Sequence, residues 1–158
     1  MKNLTLVIIK KEEGCKLAPY YCSEEYPTIG WGCRIGNKYE PLPPILWTQA
    51  LADKNLEKTI AVNLKTIMAN PDLFRAYKNC GDVQRAVFES MTYQLGVYGV
   101  LEFKRFLSAL YGGDYLEASS EMLKSLAARQ TPERWKRAAK MMLLNTLHDY
   151  YSDENKKS

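Results

Sequence analysis

The stretch from Glu13 to Gly32 reads EGCKLAPYYCSEEYPTIGWG, and its composition differs from that of the rest of the chain. A single glutamate follows a largely apolar run, and the stretch closes on Thr-Ile-Gly-Trp-Gly, whose two glycines permit tight turns and close backbone approach. Its aromatic residues, prolines and glycines favour short strands joined by turns. We therefore expect a small antiparallel sheet from Lys16 to about Tyr39 that lines a cleft.

Helices are predicted on both sides of this sheet. Asn3 to Glu12 forms a short helix that ends before Gly14, a C-cap glycine. Downstream, Thr48 is a good N-cap for a long helix that continues to about Ala69. Apolar residues recur along it at three- and four-residue steps, which is typical of a helix with one buried face. That stripe comprises Ala52, Leu56, Ile60, Leu64 and Ile67.

The chain after Pro71 is predicted to be almost wholly helical. Glycines and prolines mark the helix boundaries, Asp82, Asp114 and Thr131 are candidate N-caps, and Pro132 occupies a favoured first turn. The last long helix has an apolar face formed by Trp135, Ala138, Ala139, Met142 and Leu143, and a polar tail follows from Ser152 to Ser158. The sequence therefore predicts an α+β fold in a single domain, 1–158. Its parts are a β lobe at about 13–45, a connecting helix at about 48–69, and a helical lobe at about 71–151 with the N-terminal helix 3–12.

Composition and charge are those of an ordinary globular protein and do not by themselves name a function. The 158 residues fit one domain, and the hydrophobic (46%) and charged (25%) fractions are ordinary for a globular protein. The net charge of +4 is spread along the chain without a nucleic-acid motif. Four cysteines without a C-x-x-C pair and a lone His148 argue against a zinc site. Free thiols are expected because no export signal is visible. The apolar run Leu4 to Ile9 is too short for a secretory signal or a membrane span.

The intervals within the opening stretch resemble those of the phage lysozyme family, in particular endolysins of the T-even bacteriophage type in glycoside hydrolase family twenty-four. Eight residues separate Glu13 from Cys22, and five more precede Thr28. This family carries Glu, then Asp or less often Cys, then Thr at these intervals, with Glu-Gly opening and Thr-Ile-Gly-x-Gly closing the motif. Residues further along this chain resemble the second lobe of the family, in the same order. They are Tyr93-Gln94-Leu95-Gly96, Gly99, Phe103, and Gln130-Thr131-Pro132 with Arg134 and Arg137.

The resemblance implies a lysozyme-like fold and glycoside hydrolysis, in which the leaving oxygen must receive a proton. It assigns that proton to Glu13, whose pKa partial burial would raise; the alternative is an exposed helix glutamate. Cys22 stands where the family usually has an aspartate, and its sulfur would attack carbon, hold water or do little. Thr28 would help to hold the attacking water, although threonine is also a good strand former.

The resemblance further implies contacts with a saccharide and residues that support the acid. For each aromatic residue the alternative is core packing. Glu24 and Glu25 are near enough in sequence to replace the missing aspartate, and the alternative for them is a charged turn in solvent. Arg134 would reach from the second lobe toward Glu12 and Glu13, or be a solvated helix arginine. The implied substrate-binding residues are Tyr20, Arg34, Tyr93, Gln94 and Phe106, and the supporting residues are Glu12, Gly30, Gly32 and Arg134.

The expected reaction is hydrolysis of the β-1,4 bond between N-acetylmuramic acid and N-acetylglucosamine in peptidoglycan. No cofactor, metal or nucleic acid is implied, and a monomer is expected. The resemblance places the protein in the host cytoplasm until a separate holin permeabilises the membrane, after which it acts on the periplasmic cell wall and lyses the host. Two alternatives stay open: a lytic transglycosylase that gives an anhydro product, and a catalytically inactive wall-binding protein of lysozyme fold.

Overall fold

The structure, a computed structural model, describes residues 3–152. Within that range the chain forms eight α-helices, three strands and one 3-10 helix, which confirms the α+β fold class. Most of the predicted polar tail, 153–158, lies outside the described residues. The elements are α1 (Leu4–Glu13), β1 (Lys16–Tyr21), β2 (Pro27–Gly30), β3 (Cys33–Arg34), α2 (Gln49–Ala69), α3 (Pro71–Tyr77), α4 (Asp82–Leu101), α5 (Lys104–Tyr111), α6 (Tyr115–Leu123), α7 (Leu126–Gln130), α8 (Pro132–Leu144) and the 3-10 helix Asp149–Tyr151.

The chain divides into two compact units. One is Ile9–Val62 and contains the sheet; the other consists of the described residues of Met1–Ile8 and Asn63–Ser158 and is helical. The boundaries between the units fall within α1 and within α2.

The sheet is antiparallel in the order β1-β2-β3, as the sequence predicts. Tyr20 pairs with Thr28, and an irregularity in β1 separates this pair from that of Lys16 with Gly30. The loop between β1 and β2 is closed by two hydrogen bonds, from Cys22 N to the Tyr26 oxygen (3.0 Å) and from Glu25 N to the Cys22 oxygen (2.9 Å). This register places Tyr20 and Thr28 opposite each other on one face of the sheet.

The predicted caps of α1 and α2 are confirmed. Gly14 follows α1 with φ +68°, in the left-handed region that glycine adopts readily, and its N–H donates to the Lys10 carbonyl at 3.2 Å. Thr48 Oγ1 accepts a hydrogen bond from Leu51 N at 3.1 Å. Along α2 the predicted stripe is buried at Ala52, Leu56, Ile60 and Ile67, while Leu64 is half-buried.

Two of the three N-cap assignments in the helical unit require correction. Asp114 caps α6 as predicted, with its side chain accepting from Glu117 N at 3.0 Å. Gly81 rather than Asp82 is the N-cap residue of α4. Thr131 is at the N-cap of α8, but its hydroxyl donates to the Ala127 carbonyl at 3.3 Å and caps no amide of α8.

The core of the helical unit includes buried apolar side chains from every helix from α3 to α8. Trp135 is 1% exposed and its ring stacks on Phe103 with centroids 6.0 Å apart, and Ala139 and Met142 are buried beside it. Leu143, predicted to share this face, is 39% exposed. Gly96, predicted as a helix boundary, instead forms a kink inside α4, where its φ is +78°.

Candidate active site

Glu13 is the last residue of α1 and is half-buried. Its carboxylate faces the backbone of Gly32, because a Cβ atom placed on Gly32 would lie 2.6 Å from Oε1 of Glu13. Gly32 has φ +83°, so its lack of a side chain meets both a backbone requirement and a spatial one. The Glu-Gly opening and the Gly-x-Gly closing of the stretch are thus brought together in space.

Tyr20, Glu13 and Cys22 form one electrostatic neighbourhood. Burial raises the pKa of the Tyr20 phenol, and electrostatic interactions with Glu13, then with Cys22 and Cys15, raise it further. Because such interactions weaken with distance, these side chains lie near the phenol. Lys16 Nζ is 4.3 Å from the centroid of the Tyr20 ring, a cation–π contact. The structure therefore brings together the predicted acid, the residue in place of aspartate and one predicted saccharide contact.

Thr28 and Cys22 are connected through one carbonyl group. Thr28 is 4% exposed, and its hydroxyl donates to the Tyr26 oxygen at 2.8 Å. The same oxygen accepts the backbone N–H of Cys22 at 3.0 Å. Because a hydroxyl that donates one bond still has lone pairs, Thr28 Oγ1 retains the capacity to accept a hydrogen bond.

Trp31 is held by Asp53, a residue that the sequence analysis did not select. Its indole Nε1 donates to Asp53 Oδ1 at 2.8 Å. Gly30 has φ +68°, and a Cβ atom there would lie 2.9 Å from the ring of Trp47. No local pattern distinguishes Asp53, because it is an ordinary polar residue of an amphipathic helix.

The other residues of the hairpin lie on its surface. Arg34 is exposed, and its guanidinium carbon lies 3.5 Å from the centroid of the Tyr26 ring. Glu24 and Glu25 are exposed in the β1–β2 loop, where Glu25 has φ +67°. Glu12 is half-buried on α1.

The remaining predicted site residues belong to the helical unit. Tyr93 and Gln94 are half-buried in α4, and Arg134 is half-buried in α8; their functional roles stay predictions. Phe106 is fully buried, with its ring centroid 6.1 Å from that of Phe88 and 5.9 Å from that of Phe103. This placement makes Phe106 a core residue instead of a substrate contact.

The four cysteines are free thiols. Burial raises the pKa of Cys33, and it raises the pKa of Cys80 to about 11, so both are neutral thiols at neutral pH. Among residues 3–152, no three His, Cys, Asp or Glu side chains are grouped as metal ligands would be. In the same range no helix is both long and apolar enough to cross a membrane.

Comparisons with known proteins identify a family and two relatives. The model of the phage lysozyme family matches residues 10–146. The chain is 31% identical over 163 aligned positions to "Probable T4-type lysozyme 1" of Dictyostelium discoideum, covering 90% of this chain and 95% of that protein. It is 28% identical over 163 positions to "Pre-baseplate central spike protein Gp5" of Enterobacteria phage T4, where the match covers 90% of this chain and 28% of that protein.

Proposed function

The chain belongs to the phage lysozyme family, and from that premise we propose that it hydrolyses the β-1,4 bond between N-acetylmuramic acid and N-acetylglucosamine in peptidoglycan. The family and the T4-type lysozyme relative support a glycoside hydrolase. The placement of Glu13 carries the finer proposal. Its carboxyl group faces Gly32 and lies near the Tyr20 phenol, at the end of a helix and beside a sheet.

Glu13 acts as the general acid in this proposal. It donates its proton to the glycosidic oxygen as the bond breaks, because an alkoxide is a poor leaving group and the sugar becomes oxocarbenium-like. Tyr20, close to the same carboxyl group, contacts the saccharide. Glu13 regains a proton from solvent after each turnover.

Water is held by Cys22 and Thr28 in the same proposal. Cys22 stands where the family usually has an aspartate, and its sulfur is a weak hydrogen-bond acceptor for the attacking water. The hydroxyl of Thr28 donates to the Tyr26 oxygen, which leaves its lone pairs to accept a hydrogen bond from the attacking water. Water adds to the anomeric carbon and releases its proton to solvent.

We propose host cell lysis by a phage as the biological role, with production in the host cytoplasm and access to the periplasmic wall through a separate holin. The family description supports a phage origin for the fold. The Dictyostelium relative carries a lysozyme name outside phages, so the role in lysis needs its own test. That test is whether cells expressing the chain lyse only when a holin is co-expressed.

Mass spectrometry of muropeptides released from purified peptidoglycan tests the reaction itself. Wild-type protein should release fragments with reducing N-acetylmuramic acid ends, and Glu13→Gln should lose about 10²- to 10⁴-fold in rate, because an amide cannot donate the proton. Fragments with anhydro ends would show that the protein is a lytic transglycosylase and not a hydrolase. Binding to walls without any release would favour the inactive wall-binding alternative.

A further inference from the structure

Asp53 contacts three segments of the unit Ile9–Val62. Its Oδ1 accepts hydrogen bonds from Trp31 Nε1 at 2.8 Å and from Gln49 Nε2 at 3.0 Å, and Lys10 Nζ lies 3.8 Å from the same oxygen. The bond from Trp31, then that from Gln49, and lastly the charge of Lys10 lower the pKa of Asp53, so it is a carboxylate at neutral pH. Hydrogen bonds to an ionised acceptor are stronger than those between neutral groups.

Two of these contacts connect Asp53 to the chain on either side of Glu13, one directly through Lys10 and one indirectly through Gln49. Lys10 precedes Glu13 by one turn of α1. The Gln49 amide that binds Asp53 is also 3.7 Å from Sγ of Cys15, which follows Glu13 by two residues. Loss of the Asp53 carboxylate would therefore remove or loosen contacts to the chain both before and after Glu13.

The third contact holds the turn that faces the Glu13 carboxylate. Trp31 directly precedes Gly32, the residue whose backbone meets Oε1 of Glu13. Lys10 Nζ lies 5.3 Å from the centroid of the Trp31 ring, so the same lysine contacts both Trp31 and Asp53. The bond between Trp31 and Asp53 thus holds the residue next to the backbone that faces the Glu13 carboxylate.

We propose that Asp53 is a positioning residue for Glu13, which it orients through Trp31, Lys10 and Gln49 without itself contacting the substrate. The inference rests on the proposed role of Glu13 as the acid. Proton donation depends on the placement of the carboxyl group, and a displacement of about 1 Å can cost on the order of 10²-fold in rate. A residue that only stabilised the fold would not affect kcat in protein that remains folded.

Steady-state kinetics on soluble peptidoglycan fragments provide the first test. Asp53→Ala should lower kcat by roughly 10- to 100-fold with little change in KM. Asp53→Asn keeps an oxygen that accepts from Trp31 and should retain most of kcat. Trp31→Phe removes one of the three contacts and should lower kcat by less than Asp53→Ala does. The double variant Trp31→Phe/Asp53→Ala should be no slower than Asp53→Ala, because that variant already lacks the bond to Trp31.

NMR provides a second test that needs no activity. The indole N–H signal of Trp31, assigned by its loss in Trp31→Phe, should move in Asp53→Ala, as should the Gly32 amide and Glu13 carboxyl signals. Glu57→Ala is the matched control, since Glu57 is an exposed carboxylate one turn further along α2. It should leave all three signals and kcat unchanged.

The results separate this inference from the proposed function. If wild-type protein cleaves peptidoglycan and folded Asp53→Ala does so at the same kcat, Asp53 has no positioning role. Unchanged Gly32 and Glu13 signals in Asp53→Ala would overturn the inference equally. If wild-type protein cleaves nothing, the proposed function fails, while the NMR signals still decide whether Asp53 orients Glu13. If Asp53→Ala does not fold, Trp31→Phe decides: a wild-type kcat together with unchanged Gly32 and Glu13 signals in that folded variant would overturn the inference.

Discussion

The backbone of Gly32 forms one wall of the space occupied by the Glu13 carboxylate. A Cβ atom on Gly32 would lie 2.6 Å from Oε1 and 3.2 Å from the carboxyl carbon of Glu13. Gly32 is also in the left-handed region, with φ +83°, where other residues are strained. The glycine that closes the sequence motif is therefore explained by its contact with the glutamate that opens it.

Gly32→Ala should reduce peptidoglycan cleavage at least tenfold, since a displacement of the acid of about 1 Å can cost on the order of 10²-fold. The added methyl group displaces the carboxylate. It should also destabilise the fold by about 1–2 kcal/mol through left-handed strain. Turbidity clearing of cell walls measures the first effect, and urea unfolding measures the second.

Gly113→Ala is the matched control for that experiment. Gly113 has a similar φ of +70°, but a Cβ atom there would have no heavy atom within 4 Å. Its substitution should cause a similar loss of stability and leave activity unchanged. Equal loss of activity in the two variants would show that backbone strain alone, instead of contact with Glu13, explains the effect of Gly32→Ala.

Asn145 supplies the cap at the start of α4 from the end of α8. Its Oδ1 accepts from Val83 N at 3.0 Å and from Gln84 N at 3.2 Å, while its own backbone is left-handed, with φ 52°. Asn145→Ala removes the cap and strains the backbone, so we expect a loss of about 2–3 kcal/mol in the free energy of unfolding. Denaturant unfolding of purified protein measures it.

Two further substitutions separate the contributions at Asn145. Asn145→Gly removes the cap but suits the left-handed backbone, and should lose only about 1 kcal/mol. Asn145→Asp keeps an oxygen acceptor near a helix N-terminus and should be close to neutral. If the glycine variant were as unstable as the alanine variant, backbone strain would contribute nothing.

This cap also shows where sequence patterns fail. Thr48 and Asp114 were predictable because each caps an amide three residues away. The acceptor for α4 lies 62 and 61 residues from the amides it serves, and no local pattern reveals it.

The candidate site divides in the same way. Glu13, Cys22 and Thr28 could be selected from their spacing within one stretch of sequence. The bond from Trp31 to Asp53 spans 22 residues, and no sequence pattern indicated it. Phe106 was misassigned because an aromatic side chain fits a saccharide groove and an apolar core equally well in sequence. Only the three-dimensional packing, in which its ring contacts Phe88 and Phe103, decides between them.

Glu89 should make stability depend on pH in a direction opposite to that of most carboxylates. Tyr77 donates to its Oε2 at 2.8 Å. Burial raises the pKa of Glu89, and hydrogen bonds from Tyr77 and Thr5 and the charge of Arg85 oppose that rise only in part. The folded state therefore prefers the protonated acid. The contribution of Glu89 to stability is complete below the pKa that it has in the unfolded chain. That contribution is lost as the pH rises through the pKa that Glu89 has in the folded state.

Glu89→Gln isolates this contribution, because the amide keeps a hydrogen-bond acceptor but does not titrate. The free energy of unfolding of wild-type protein, relative to that of Glu89→Gln, should increase as the pH is lowered from about 7 to about 4, the ordinary range of a glutamate. Urea unfolding of both proteins at several pH values measures the difference. A constant difference across the range would contradict a raised pKa, and a decrease toward low pH would reverse its sign.

Cys22 is the position at which the chain departs from the family's usual aspartate, and its substitutions test what the thiol does. Burial, and then the neighbouring Glu13, Cys22 and Cys15, raise the pKa of the Tyr20 phenol, whereas Glu24 and Glu25 are exposed in the loop. We therefore expect Cys22→Ser to lower wall-lysis rates by roughly tenfold, less than the loss at Glu13, since a hydroxyl ionises less readily than a thiol.

Cys22→Asp should retain or increase activity. It places a carboxylate near Glu13, where that group can stabilise the cationic transition state and activate a water molecule. Cys33→Ser is the matched control, because burial raises the pKa of Cys33 and a hydrogen bond from Asn55 lowers it, so this thiol has a different set of neighbours. That variant should keep wild-type rates. Full activity in Cys22→Ser, combined with loss of activity in Glu24→Gln or Glu25→Gln, would instead assign the second catalytic group to a loop carboxylate.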